Sequence, residues 1–306
     1  MRSKKALLML AAMFLLLTGC GAPLLSERAV VRAVCFRGAA QAARVSLVLE
    51  AAGQEDTFQT VTGRGSSYAA ALKDAERQLD GAVFYGLMDL ALLPPQAGWE
   101  QAAEIGQLLA DTALPAPRID VFLLSAQTVS EKADALYAEI RTARKKYGVS
   151  NGLQQLFARE NECALPVWQG TEFGFGVLRQ GRAATVWAEP LTAQLAAVLC
   201  GQADRFDCVL PGQDFSLACK AGVYRQAGAG GVCLQLTLRN AQIDALGASE
   251  DGQAAVERAL QHAFAEICTQ TDTAESGLLQ LQAWQFAEDG RTKPPSVRLM
   301  IQTEQG

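Results

Sequence analysis

The sequence predicts an α+β chain, with three small mixed α/β domains in tandem behind a cleaved signal peptide. Three observations predict it. Short apolar runs recur along the chain and read as strands, several of them in pairs joined by tight turns. Between them lie stretches with apolar residues three and four apart, which read as helices. The opening residues differ from all that follows, because Arg2, Lys4 and Lys5 precede an apolar run from Ala6 to Leu17.

That run is too short to span a bilayer, which takes about 20 apolar residues, but it suits a cleaved export signal. Leu17-Thr18-Gly19-Cys20 is similar to the lipobox of bacterial lipoproteins. The motif implies that Cys20 receives diacylglycerol through a thioether and that the signal is cut just before it. A thiolate supplies the nucleophile, and small Thr18 and Gly19 leave the bond open to the peptidase. The alternative is an ordinary secretory signal with a chance cysteine. Two acyl chains make anchoring stable where one binds marginally. Residues 1–19 are thus the expected signal and 20–27 the lipidated tether, with Gly21 to Leu25 giving reach.

Cleavage leaves 287 residues with 24 basic and 32 acidic groups, a net charge of −8. Such a chain has no electrostatic reason to seek nucleic acid or anionic lipid headgroups, so binding must come from shape and local patches. Its length suits two or three domains. Seven cysteines remain after Cys20: Cys35, Cys163, Cys200, Cys208, Cys219, Cys233 and Cys268. An odd number cannot all pair, though one or two disulfides are open outside the membrane. Spacings of eight, eleven and fourteen from Cys200 to Cys233 hold no C-x-x-C pair, so no metal site is expected and small buried side chains are the default.

The first domain is expected over 28–165. Val30 to Cys35 and Arg44 to Leu49 read as strands, the second with Val45, Leu47 and Leu49 on one face and Ser46 and Glu50 on the other. Phe58 to Thr62 is a third. After a turn at Gly63-Arg64-Gly65, Ser66 or Ser67 can cap a helix whose Leu72, Ala75 and Leu79 share one side. A second helix runs from Trp99 to Ala110, with Ile105, Leu108 and Leu109 inward. Ile119 to Ser125 reads as a buried strand. Ser130 to Lys146 is a charged helix with Leu136 and Ile140 in its apolar stripe, broken at Gly148 to Gly152 before a shorter helix ending near Arg159. Pro166 closes the region.

A small middle domain is expected over 166–203, with strands Thr171 to Leu178 and Ala184 to Ala188 about the turn Gln180-Gly181, and a helix from Pro190 to Leu199. The last domain is expected over 204–306. Its strands are Cys208 to Leu210, Phe215 to Cys219, Val232 to Leu238, Leu278 to Phe286 and Val297 to Thr303. Its helix spans Glu250 to Thr269, with Val256, Leu260, Phe264 and Ile267 on one face. Ala227 to Gly231 separates two strands and reads as a hairpin loop, not a phosphate cradle.

Chemistry is poorly supplied. The one histidine, His262, lies away from its helix's apolar face, and no G-x-S-x-G, H-E-x-x-H or Walker-type loop occurs. Glu250-Asp251 and Glu288-Asp289 read as caps and solvated charge. No catalytic residue, and no cofactor beyond the diacylglycerol on Cys20, is expected.

Several joints of the chain carry a resemblance. The lipobox is followed by Glu27-Arg28-Ala29-Val30-Val31; Thr60-Val61-Thr62-Gly63-Arg64-Gly65 leads into Ala69-Ala70-Ala71-Leu72; and Val83-Phe84-Tyr85-Gly86 comes next. Arg118 to Ala126, Gly174-Phe175-Gly176-Val177-Leu178 and Val297-Arg298-Leu299-Met300-Ile301 follow in order. In this order the chain resembles the C subunit of spore germinant receptors, the GerAC-like lipoproteins. It departs from them at Leu87, where histidine is common, around Pro94-Pro95, in the short stretch Ala287 to Ser296, and in its many cysteines. The resemblance implies three mixed domains and a place on the outer face of the spore's inner membrane. It also implies partnership with an A subunit and a transporter-like B subunit in nutrient-triggered germination. A solute-binding lipoprotein of an ABC-type uptake system is the alternative, although its parallel sheets suit the paired strands less well. A plain cell-envelope adaptor is the third reading.

On the family reading the working surface is a partner-facing patch. Arg141, Arg144, Lys145 and Lys146 form a basic cluster that can dock an acidic subunit or membrane headgroups, or simply complement the helix dipole. Trp168, Trp187, Phe173 and Phe175 are a second aromatic group, for which core packing is the other role.

Overall fold

β1 (Arg28–Arg37) and β2 (Ala43–Glu50) pair antiparallel, and β3 (Phe58–Gly65) continues on the far side of β2. The structure is a computed structural model describing residues 28–51, 57–112, 118–157, 161–182, 184–211, 215–228, 231–245, 252–271, 279, 288 and 296–304. α1 (Tyr68–Arg77) starts where the Ser67 hydroxyl accepts the Ala70 N–H at 3.1 Å. It lies so close to β3 that a Cβ on Gly63 would stand 2.1 Å from the Ala71 carbonyl oxygen and one on Gly65 2.5 Å from the Ala71 nitrogen. These two glycines are therefore strand residues beneath a helix and not the turn expected of them.

The chain then returns as β4 (Ala82–Phe84) and β5 (Leu90–Leu93), both parallel to β1. α2 (Trp99–Thr112), β6 (Asp120–Leu124) and α3 (Ala133–Tyr147) follow. A single 3₁₀ turn, Leu153–Leu156, stands where a short helix was expected. β7 (Glu162–Trp168), β8 (Phe173–Arg179) and β9 (Thr185–Trp187) complete a nine-stranded sheet of order β3-β2-β1-β5-β6-β7-β8-β9, with β4 beside β1. Its middle strands run parallel and its ends antiparallel. Both faces are covered. Tyr68 and Leu72 of α1 and Ile105 and Leu109 of α2 pack with Val34, Leu47 and Val121. Leu136, Tyr137 and Ile140 of α3 pack with Cys35, Val48, Leu92 and Phe122 on the opposite face.

α4 (Pro190–Leu199) is capped by Glu189, whose carboxylate accepts the N–H groups of Leu191 and Thr192 at 3.1 and 2.7 Å. Every residue from Leu191 to Leu199 is buried, as suits a helix with no charged residue on any side. β10 (Arg205–Val209), β11 (Phe215–Gly228), β12 (Gly231–Ala245), α5 (Gly252–Thr271) and β13 (Ser296–Glu304) follow. The strands form a second sheet in that order, antiparallel up to β12, with β13 parallel to β12. The pairing of Gly228 with Gly231 makes the glycine-rich stretch a hairpin. The fold is α+β.

The expected boundary between 165 and 166 falls inside β7, and the first sheet runs on to Trp187. Pro166 does not end the strand, because β7 meets β6 only at Val167 and Trp168 and no N–H is needed there at 166. Residues expected in the middle and last units share one core: Phe175, Trp187 and Leu195 pack with Phe206, Leu236 and Leu260. β5 was not expected at all, since four apolar residues before Pro94-Pro95 carry no period. Apart from Leu279, which is buried, the expected strand over 278–286 lies outside the described residues.

Candidate functional site

β1, β5 and β6 run parallel, with Ala33, Leu90 and Asp120 level across them. α3 leaves the other end of β6 and returns antiparallel to it, so its basic last turn comes back to the edge where these strands begin. There the Arg144 guanidinium pairs directly with the Asp120 carboxylate. Arg144 also lies 4.0 Å from the Asp89 carboxylate and donates to the Asp89 carbonyl at 3.3 Å. Arg32 reaches Asp89 at 3.7 Å and Glu50 at 3.9 Å, and donates to the Tyr137 hydroxyl, which in turn donates to Asp89. Burial pushes the Tyr137 hydroxyl pKa up.

Asp120 is 1% exposed and satisfied from several sides. One of its oxygens accepts from the Asn151 N–H at 2.8 Å, the Ser150 hydroxyl at 3.2 Å and the Gly152 N–H at 3.3 Å. The Asn151 amide accepts from the Val121 N–H at 2.8 Å and donates to its carbonyl at 2.7 Å, taking the place of a neighbouring strand where β7 does not reach. The network thus ties α3 and the loop after it to the sheet.

The expected basic cluster separates into two parts. Arg144 is turned inward, its side chain only 19% exposed, because it falls in phase with Leu136 and Ile140 on the packed side of α3. It is a structural residue and not part of an outward patch. Lys145 is exposed, and Arg141 is half-buried. The Lys146 ammonium lies 4.7 Å over the Tyr147 ring, donates to its hydroxyl at 3.2 Å, and stands 3.7 Å from Asp207. Arg205 donates to the Lys145 carbonyl at 3.5 Å, which brings β10 to the end of α3. Two shallow depressions flank the helix ridge at Ala138 and Thr142. One, of about 300 Å³, holds Arg141, Lys145 and Phe58, and the other, of about 470 Å³, holds Glu139, Lys146, Tyr147 and Trp168.

The aromatic group is core: Trp168, Phe173, Phe175 and Trp187 are all 3% exposed or less. Cys35, Cys208 and Cys219 are free thiols whose pKa values burial raises to about 11, about 12 and about 11. Such thiols are poor nucleophiles. His262 is exposed on α5. Among the described residues no cluster of His, Cys, Asp and Glu is arranged for a metal, and no helix is long and apolar enough to cross a membrane. Leu17, Thr18, Gly19 and Cys20 lie outside the described residues.

Sequence reasoning missed Asp89, Asp120 and Arg32. The available signals were a carboxylate opening an otherwise apolar strand and an arginine i+4 from Ile140 on the packed side of α3.

No protein-family model matches the chain, and no curated protein matches it. Among solved structures, a crystal structure of the GerBC protein is similar over 86% of this chain and 93% of that one, at 10% identity and a TM-score of 0.41.

Proposed function

We propose that this protein is a lipid-anchored subunit of a spore germinant receptor complex, contributing contact surfaces to the receptor's A and B membrane subunits and not a catalytic site. The observation that carries this reading is the ordered series of sequence joints, from the lipobox through Thr62-Gly63-Arg64-Gly65 to Val297-Arg298-Leu299-Met300-Ile301. Support also comes from the physical need behind one of those joints: Gly63 and Gly65 are where a helix backbone presses on a strand, so no larger residue fits. Diacylglycerol on Cys20 would hold the chain at the outer face of the cytoplasmic membrane, the spore's inner membrane.

Affinity capture of the tagged protein from detergent-solubilised membranes of sporulating cells, beside its Cys20→Ser variant, tests the proposal. The expected result is co-purification of two multi-spanning receptor subunits, with the variant lost from the membrane. Recovery of ABC-transporter permeases would move the assignment to a solute-binding lipoprotein, and recovery of no partner to an isolated envelope protein.

A further inference from the structure

Three arginines stand in one row at the end of the first sheet. Arg37 pairs with Arg44 across β1 and β2, and Arg44 with Arg64 across β2 and β3. Residues directly opposite one another across strands point to the same face. Here it is the face that α3 covers, because Cys35 and Val48, in phase with Arg37 and Arg44, pack beneath that helix. Strands about 4.8 Å apart set the three side chains next to one another, and like charges so placed repel.

No protein anion relieves the row. Among the described residues no carboxylate forms an ion pair with Arg37, Arg44, Arg64 or Lys132. The carboxylates close by are placed otherwise. Asp74 accepts the Arg64 backbone N–H at 2.9 Å, and Asp134 sits in the first turn of α3, where the helix dipole favours it. Glu131 has a carboxylate oxygen beside Gly170 and gives Arg37 only its backbone carbonyl. The Arg37 Nε is buried without a partner.

A polar cavity of about 400 Å³ opens beside the row. Ser46, Thr60 and Thr62 line it from the sheet, Ser46 and Thr62 sharing a hydrogen bond at 2.8 Å, while Arg37 and the segment Ser130–Asp134 close its sides. α3 begins there with no side chain capping it, so its first N–H groups and the positive end of its dipole add to the arginines.

We propose that this row and cavity bind an oxyanion, the phosphate or carboxylate group of a small solute, with Arg37 and Arg44 as its main donors. Arginine presents paired N–H groups that match either group, and the cavity is of a size that takes a small solute. The receptor reading above is not needed for this site.

The test uses the full chain at neutral pH and constant ionic strength, with inorganic phosphate and acetate as probes, read by titration calorimetry and melting temperature. At least one of the two is expected to bind and to raise the melting temperature above that in chloride. Phosphate alone would assign a phosphoryl group, and acetate a carboxylate. Arg37→Gln and Arg44→Gln are each expected to weaken binding about tenfold, whereas Lys220→Gln, exposed in the second sheet, leaves it unchanged. Without added anion, Arg44→Gln is expected to melt no lower than the parent chain, because it removes a like charge from between two others. A lower melting temperature there would show that the row is satisfied within the protein and would overturn the proposal. So would binding that neither arginine variant weakens, or no binding of either anion. A response to poly-glutamate alone would overturn it in favour of an acidic protein partner.

Discussion

The two sheets manage polarity in opposite ways. The nine-stranded sheet is covered on both faces, and β5 and β6 are buried along their whole length. The charges it takes inside are paired: Arg32, Asp89, Asp120 and Arg144 where β1, β5 and β6 begin, and Glu162 with Arg179 at 2.7 Å across β7 and β8. The four-stranded sheet is covered on one face, where Leu234, Leu236 and Leu238 meet α4 and α5. Its other face carries a ladder in which Gln226 donates to Gln235 at 2.8 Å and Gln235 to Gln302 at 2.5 Å, with Tyr224 half exposed beside Arg239. A polar group in the first sheet must find protein partners, whereas one on the outer face of the second can use water.

The sharpest way to break this contrast is at Arg144. Arg144→Met keeps the stem of the side chain but leaves Asp120 buried without its cation, and is expected to cost about 3–5 kcal/mol in denaturant unfolding. Adding Asp120→Asn should recover much of that loss, because the penalty lies in the unpaired charge more than in the absent pair. Equal destabilisation by the single and double variants would show that packing of the arginine stem, and not charge, holds α3 in place.

Next in size is a pair of glycines. Gly63→Ala places a methyl 2.1 Å from the Ala71 carbonyl and 2.2 Å from the Ala75 nitrogen, so α1 must lift from β3, at a cost of about 3 kcal/mol. Gly222→Ala, on the open face of β11, meets nothing nearer than the Tyr224 ring at 3.9 Å and should change stability by about 0.5 kcal/mol or less. Thermal melts of the two variants check this. Similar losses at both sites would mean that the second sheet's outer face is covered in the native protein.

The same contrast decides what could be read from sequence. Where the sequence itself carries a period or a start signal the elements were legible: β2 by Val45, Leu47 and Leu49 alternating with Arg44, Ser46 and Glu50, although both its faces are buried, α4 by Pro190 at its start, and α5 by Val256, Leu260, Phe264 and Ile267, all four of them buried. Where both faces of a strand are buried the period vanishes, so β5 was missed and β7 was taken for a boundary at Pro166. α4 carried an unused signal, since a mostly apolar helix with no charged residue on any side belongs inside a core and not in a small unit of its own. The ion network was illegible for a different reason: its members come from β1, the residue before β5, β6 and α3, and only the parallel register brings them level.

The smallest effect tests whether the inner faces of the two sheets are alike. Cys35 in β1 and Cys208 in β10 both sit in apolar surroundings that raise the thiol from an ordinary 9.0 to about 11 and about 12. A raised thiol favours the protonated, folded form. The stabilisation is complete below pH 9 and is lost as pH climbs toward 11 and 12, because the unfolded thiol ionises first. Each thiol should therefore take roughly 1 kcal/mol from stability between pH 9 and 10. Cys35→Ala and Cys208→Ala should each flatten the alkaline fall in melting temperature by a similar amount, though they lie in different sheets. A flattening confined to Cys35→Ala would show water reaching the inner face of the four-stranded sheet. The contrast between the sheets would then extend through the core instead of stopping at their outer surfaces.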